Sequence, residues 1–210
     1  MQGFYLGREV PLEDAGYLRG PNQWPDLPLQ AFRTPIQQYH QHMDRLGKTH
    51  LARGLGHDTA VLDDFTRSPV VNLKLLHYSP HTSQDERQFG AGEHTDFGAI
   101  TMLLQQPDKC GLQVFHAASG GWLPIPAIED VLVINIGDLI ARWTNCTYNS
   151  TLHRVINNVS GGDRYSVRCF YQGDLSATNP FDPNGTDRET VEQHIRKKFD
   201  ASYGFSDSKK

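Results

Sequence analysis

His94, Asp96 and His153 are the residues of this chain whose types and spacing could do chemistry together. His94 and Asp96 stand two apart in His94-Thr95-Asp96-Phe97-Gly98, so on a strand their side chains would share one face. An imidazole and a carboxylate make half of a small-ion site. His153, in Thr151-Leu152-His153-Arg154-Val155, is the best third donor. Two histidines and one carboxylate with open positions suit Fe(II). Arg164 and Ser166 follow, again two apart and hence on one strand face. Arg164 offers a rigid fork for a carboxylate, to which Ser166 can add a hydroxyl donor.

Each group has a plainer reading. With ten histidines in the chain, a chance H-x-D match is common, and His94 and Asp96 would then be a surface polar pair. Arg164 would then form a surface salt bridge to an acid such as its neighbour Asp163. Gly92 and Gly98 favour the site, because glycine beside a strand often marks a close approach of backbone to a ligand.

The elements that must position these residues are mostly strands. Residues 1–30 are rich in glycine and proline and read as a connector without strand or helix. A helix is expected over 34–56, with Thr34 as N-cap, Pro35 at N1 and Gln37 closing a capping box. Ile36, Tyr39, Met43, Leu46, Leu51 and Leu55 give its apolar stripe. His40, His42, His50 and His57 lie in or near it and read as a solvated polar face. From residue 70 the period becomes that of strands: 70–78, 99–105, a short antiparallel pair at 111–115 and 121–125, then 131–136, 153–157 and 165–171. Asn135-Ile136-Gly137-Asp138 and Trp143-Thr144-Asn145 read as turns and packing. A second capping box, Thr186 and Glu189, precedes a helix with the stripe Val191, Ile195 and Phe199, and the polar tail from Ser206 should fray. The whole reads as a single domain, 1–210, mainly β with flanking helices: a connector and helix over 1–69, a sandwich or barrel-like core over 70–175, and a C-terminal helix and tail over 176–210.

Bulk properties narrow the partners. A net charge of −4 with a pI near 6.2 gives no electrostatic reason to expect nucleic acid. No signal peptide and no membrane-length apolar run is visible, so the cytoplasm is the default compartment. Cys110, Cys146 and Cys169 are odd in number and widely spaced, which reads as free thiols.

From about Leu73 to Tyr171 the chain resembles the Fe(II)/2-oxoglutarate-dependent oxygenases, in the branch that includes isopenicillin N synthase. Seven collinear pieces carry the resemblance: Leu75-Leu76-His77-Tyr78-Ser79-Pro80, His94-Thr95-Asp96-Phe97-Gly98, Gly111-Leu112-Gln113-Val114, Asn135-Ile136-Gly137-Asp138, Trp143-Thr144-Asn145, His153-Arg154-Val155 and Arg164-Tyr165-Ser166. It implies a double-stranded β-helix, or jelly roll, with iron on His94, Asp96 and His153. It implies that 2-oxoglutarate chelates that iron through its keto-acid end, leaving one position for O₂, while Arg164 and Ser166 hold its far carboxylate and Tyr78 assists. The implied activity is oxidation, in the first instance hydroxylation, of a small-molecule substrate with release of succinate and CO₂. Phe97 and Phe170 could line the substrate pocket, although core packing suits Phe170 better. Members of that family usually carry a substantial segment ahead of the stretch matched by residues 3–9. The chain therefore reads as an N-terminally short form, with a sheet edge and part of the substrate enclosure expected to be missing.

Three other readings remain open on the same residues. An oxidase of the same fold would use iron and O₂ without 2-oxoglutarate. A degenerate jelly roll would bind without turnover. A Zn²⁺ hydrolase would need a general base beside the metal, and Glu93 points to the opposite strand face from His94.

Overall fold

The computed structural model describes residues 2–25, 29–80, 89–158, 161–182 and 184–204. Among these residues nine strands form two antiparallel sheets. The larger has the order β1-β2-β9-β4-β7 and the smaller β3-β8-β5-β6. Their ranges are β1 Gln2–Leu6, β2 Val70–Tyr78, β3 Phe89–His94, β4 Ile100–Gln105, β5 Leu112–His116, β6 Gly121–Pro124, β7 Leu132–Ile136, β8 His153–Ile156 and β9 Arg164–Gly173. This is the double-stranded β-helix.

The outer face of the larger sheet packs on helix α1, Leu29–Gly54. Leu73 of β2 and Cys169 and Tyr171 of β9 are buried there with Met43, Leu51 and Leu55 of α1. Period 2 then turns Lys74, Leu76 and Tyr78 of β2, and Arg164, Ser166, Arg168 and Phe170 of β9, to the inner face. Strand β4 is covered on both faces, so Ile100, Met102 and Leu103 and the polar Thr101 between them are all buried. Among the described residues no helix is long and apolar enough to cross a membrane.

Several elements depart from the sequence reading. The supposed connector contains β1, which pairs with β2 from Gln2↔His77 to Leu6↔Leu73 and forms an edge of the larger sheet. Its signal is weak because it is five residues long and only Leu6 is fully buried. Helix α1 starts five residues before Thr34 and carries Pro35 inside it. The reason is tertiary: Phe32 packs edge-on against Phe4 and Trp24, and that cluster anchors an extra N-terminal turn. His40 leaves the solvated face assigned to it. It is buried, with Nε2 2.8 Å from the Val71 carbonyl.

Between the two stretches read as turns and packing, 135–138 and 143–145, lies the short helix α2, Asp138–Trp143, whose Leu139, Ile140 and Trp143 are buried. The last helix, α3, spans Val191–Tyr203, and its capping box is Thr190 with Gln193 instead of Thr186 with Glu189. Asp187 and Glu189 instead pair with Arg142 of α2. The α3 stripe is as expected, with Val191 and Ile195 in the core and Phe199 packed against it. The tail from Ser206 lies outside the described residues. All three cysteines are free; Cys169 alone is buried.

Candidate metal and cosubstrate site

His94 closes β3, and His153 opens β8 directly opposite it in the register. The two rings lie 4.3 Å apart, centroid to centroid. His94 and Asp96 do not share a strand, which corrects the premise on which their spacing was read. After His94 the chain leaves the smaller sheet and crosses to β4 in the larger one, and Asp96 sits on that crossing. The crossing is pinned by backbone bonds from Asp138 N to the Asp96 carbonyl (2.8 Å) and from Leu139 N to the Gly98 carbonyl (3.2 Å). A Cβ on Gly137 would collide with the Gly98 carbonyl oxygen, so this approach requires glycine.

Asp96 and His153 are buried and His94 is partly so. One donor atom from each lies within 4.8 Å of the others. His94 Nε2 is 3.9 Å from Asp96 Oδ1, and His153 Nε2 is 3.8 Å from Asp96 Oδ2. The Nδ1 atoms face carbonyl oxygens, of Gly92 at 2.7 Å and of Thr151 at 3.0 Å. A carbonyl only accepts, so each Nδ1 carries the proton and each Nε2 presents its lone pair to the centre. Burial pushes the His94 pKa down, which favours the neutral, ligating form. Asn135, mid-strand in β7, donates to Asp96 Oδ2 at 2.8 Å and aims the carboxylate. Two neutral imidazoles and a carboxylate, with room for further ligands, fit Fe(II).

Sequence reasoning missed the role of Asn135, because an asparagine next to Ile-Gly-Asp looks like turn chemistry. The signal that could have found it is its place on the alternating inner face of Val131–Ile136. Asp138 also serves the crossing: it accepts from Thr95 Oγ1 (3.1 Å) and from Lys198 Nζ of α3 (2.7 Å). His194 of α3, buried, places Nε2 3.1 Å from the Phe97 carbonyl. Glu93 is exposed and pairs with Arg154 at 3.1 Å, away from the metal donors, so the hydrolase reading loses its base.

Two cavities meet at Asp96 and Arg168. The smaller, about 240 Å³, is lined by Thr101, Leu103, Leu112, Val133, Asn135 and His153 besides those two. Arg164 and Ser166 are buried on the same inner face of β9. The Arg164 guanidinium lies 4.0 Å from the Tyr78 ring centre and against Gly111, the residue before Leu112. Among the described residues, Arg164 Nη1 and Ser166 Oγ are both buried without a hydrogen-bond partner. Two orphaned donors on one strand face, one cationic, fit the carboxylate of a bound acid. Tyr78 contributes its ring to Arg164, and its hydroxyl lies 3.2 Å from Arg168 Nη2.

The larger cavity, about 540 Å³, lies on the other side of the donors, with Lys74, His94, Phe97, Phe170 and Phe199 in its walls. Phe170 thus faces a cavity and not the packed core, because Cys169 and Tyr171 take the core side of β9. Phe97 is braced edge-on by Phe199 of α3, 5.4 Å between centroids.

Residues 69–173 match the family model of the 2OG-Fe(II) oxygenase superfamily. The 2-oxoglutarate-dependent dioxygenase traH of Penicillium crustosum is 49% identical over 98% of this chain and 64% of its own length. The 2-oxoglutarate-dependent dioxygenase caaD of Aspergillus niger is 48% identical over 96% of this chain and 64% of its own length. The chain therefore spans a little under two thirds of these relatives. A full-length Neurospora crassa protein, crystallised in complex with alpha-KG and thymine, superposes with a TM-score of 0.80 at 28% identity, covering 96% of this chain and 65% of that one. With the two-sheet fold, the His94–Asp96–His153 cluster and these matches taken together, the chain belongs to the 2OG-Fe(II) oxygenase superfamily.

Proposed function

We propose that this protein is an Fe(II)- and 2-oxoglutarate-dependent dioxygenase that hydroxylates a small-molecule substrate, releasing succinate and CO₂. The observation that carries the reading is the donor cluster shared by two cavities, with an orphaned arginine and serine on the inner face of β9. His94, Asp96 and His153 would hold the iron. When bound, the iron couples O₂ activation to oxidative decarboxylation of 2-oxoglutarate, which is the chemistry that oxidises a C–H bond. Arg164 and Ser166 bind the far carboxylate of the cosubstrate, and Tyr78 packs the guanidinium in place. Leu103, Leu112 and Val133 give the smaller cavity an apolar wall that would exclude water from a bound cosubstrate. Asn135 holds Asp96 in its ligating orientation. The substrate occupies the larger cavity beside Phe97 and Phe170.

The test is anaerobic titration of the metal-free protein with Fe(II) and then 2-oxoglutarate, following the visible metal-to-ligand charge-transfer band. The band should form in wild type, vanish in His153→Ala, and require far more 2-oxoglutarate in Arg164→Ala. A folded, iron-loaded wild type with no band would overturn the cosubstrate assignment in favour of an oxidase.

A further inference from the structure

The larger cavity has a charge imbalance that the metal and cosubstrate do not use up. Among the described residues its walls carry three basic side chains, Arg8, Lys74 and Arg168, and one carboxylate, Asp96. Asp96 is already engaged by Asn135 and faces the metal donors. Among the described residues neither Lys74 nor Arg168 has a carboxylate within ion-pair distance. Lys74 Nζ instead stands between two rings, 4.8 Å from the centre of Tyr5 and 4.9 Å from that of Phe170. Arg168 donates a side-chain hydrogen bond to the Tyr78 hydroxyl. Both project from neighbouring strands at one level, since Lys74 of β2 is in register with Arg168 of β9.

Placing two like charges at one rung of a ladder is unfavourable unless an anion lies between or above them. Fe(II) would add positive charge at this end of the barrel. The cosubstrate's far carboxylate is provided for by Arg164 and Ser166, and Lys74 lies in the larger cavity and not in the smaller. Around the pair the walls are flat and aromatic, from Tyr5, Phe97 and Phe170.

Resting on the oxygenase reading above, we propose that the substrate is a small aromatic acid, its carboxylate bound by Lys74 and Arg168 and its ring laid against Phe170. The reaction class that supplies it must therefore deliver a free aryl carboxylate and not an ester or a thioester. Lys74 is the specificity determinant, because it touches only the substrate's cavity, whereas Arg168 borders both.

The experiment is calorimetric titration of the full, metal-free chain with 2,4-dihydroxybenzoate and, in parallel, with the neutral 2,4-dihydroxybenzamide. Wild type should prefer the acid by about tenfold or more, the scale of one charge-assisted contact. Lys74→Met should bring the two ligands to similar affinity while keeping the folded circular dichroism spectrum, and Lys74→Arg should restore the preference. Arg164→Met should keep the preference, since that residue does not line the larger cavity. Equal binding of acid and amide by wild type, or no binding of the acid, would overturn the proposal, as would a preference that survives Lys74→Met. A preference lost in Arg164→Met and not in Lys74→Met would show the acid in the cosubstrate's place and sink it equally. The calorimeter cell receives neither iron nor 2-oxoglutarate, so this outcome and that of the charge-transfer titration are independent.

Discussion

The side-chain amide of Asn135 donates a hydrogen bond of 2.8 Å to Oδ2 of Asp96. Strand β7 thereby controls the orientation of a carboxylate that belongs to the crossing between the two sheets. Asn135→Leu removes that donor while keeping the shape of the side chain. Iron affinity should fall by roughly 10- to 100-fold, the usual cost of losing an outer-shell partner of a ligand. Fluorescence-monitored Fe(II) or Mn(II) titration checks this, and unchanged affinity would remove Asn135 from the site.

Gly111 makes room for Arg164. A Cβ there would overlap Nη1, so Gly111→Ala must displace the guanidinium from its seat beside Tyr78. The variant should bind metal as wild type does and need about tenfold or more 2-oxoglutarate to develop the charge-transfer band, since a displaced fork loses its paired bonds. Equal loss of metal binding would point to general misfolding instead.

Two glycines of α1 should respond to alanine with opposite signs. At Gly47 a Cβ would collide with the Tyr171 ring, and that ring is fully buried. Gly47→Ala should therefore destabilise by about 1–3 kcal/mol despite alanine's better helix propensity. At Gly54 nothing lies within 4 Å, and Gly54→Ala should gain about 0.4–1 kcal/mol. Urea denaturation of both variants reads the sign directly.

Asp138 ties the crossing to α3. Burial raises its pKa, but the hydrogen bonds from Lys198 and Thr95 outweigh this and hold it below the usual carboxylate range. A folded pKa below the unfolded one means that the contribution to stability is present above the unfolded value and is lost as pH falls through the folded value. The melting temperature of Asp138→Asn should lie below that of wild type near neutral pH, and the gap should narrow as pH drops below about 4. A gap independent of pH would show that the carboxylate's charge contributes nothing.

β2, β4 and β9 were legible as strands in the amino-acid sequence because burial favours β-branched and other apolar residues at strand spacing, and that is a local pattern. The donor set His94, Asp96 and His153 and the pair Arg164 and Ser166 were legible by residue type, since few side chains offer that chemistry. Their arrangement was not. His94 and Asp96 come together through a crossing between sheets and not through strand alternation. His153 reaches them because β8 lies opposite β3, a pairing made across nearly sixty residues of chain that no local spacing encodes. β1, α2 and the true start of α1 were hidden for the same reason: each is short or carries a misleading cap signal and is held by contacts distant in sequence, as Phe32 is by Phe4 and Trp24. Composition and periodicity set what each segment prefers. Only the closure of the two sheets decided that Asn135 meets Asp96, that Gly111 seats Arg164, and that Lys74 and Arg168 share one rung in the wall of the larger cavity.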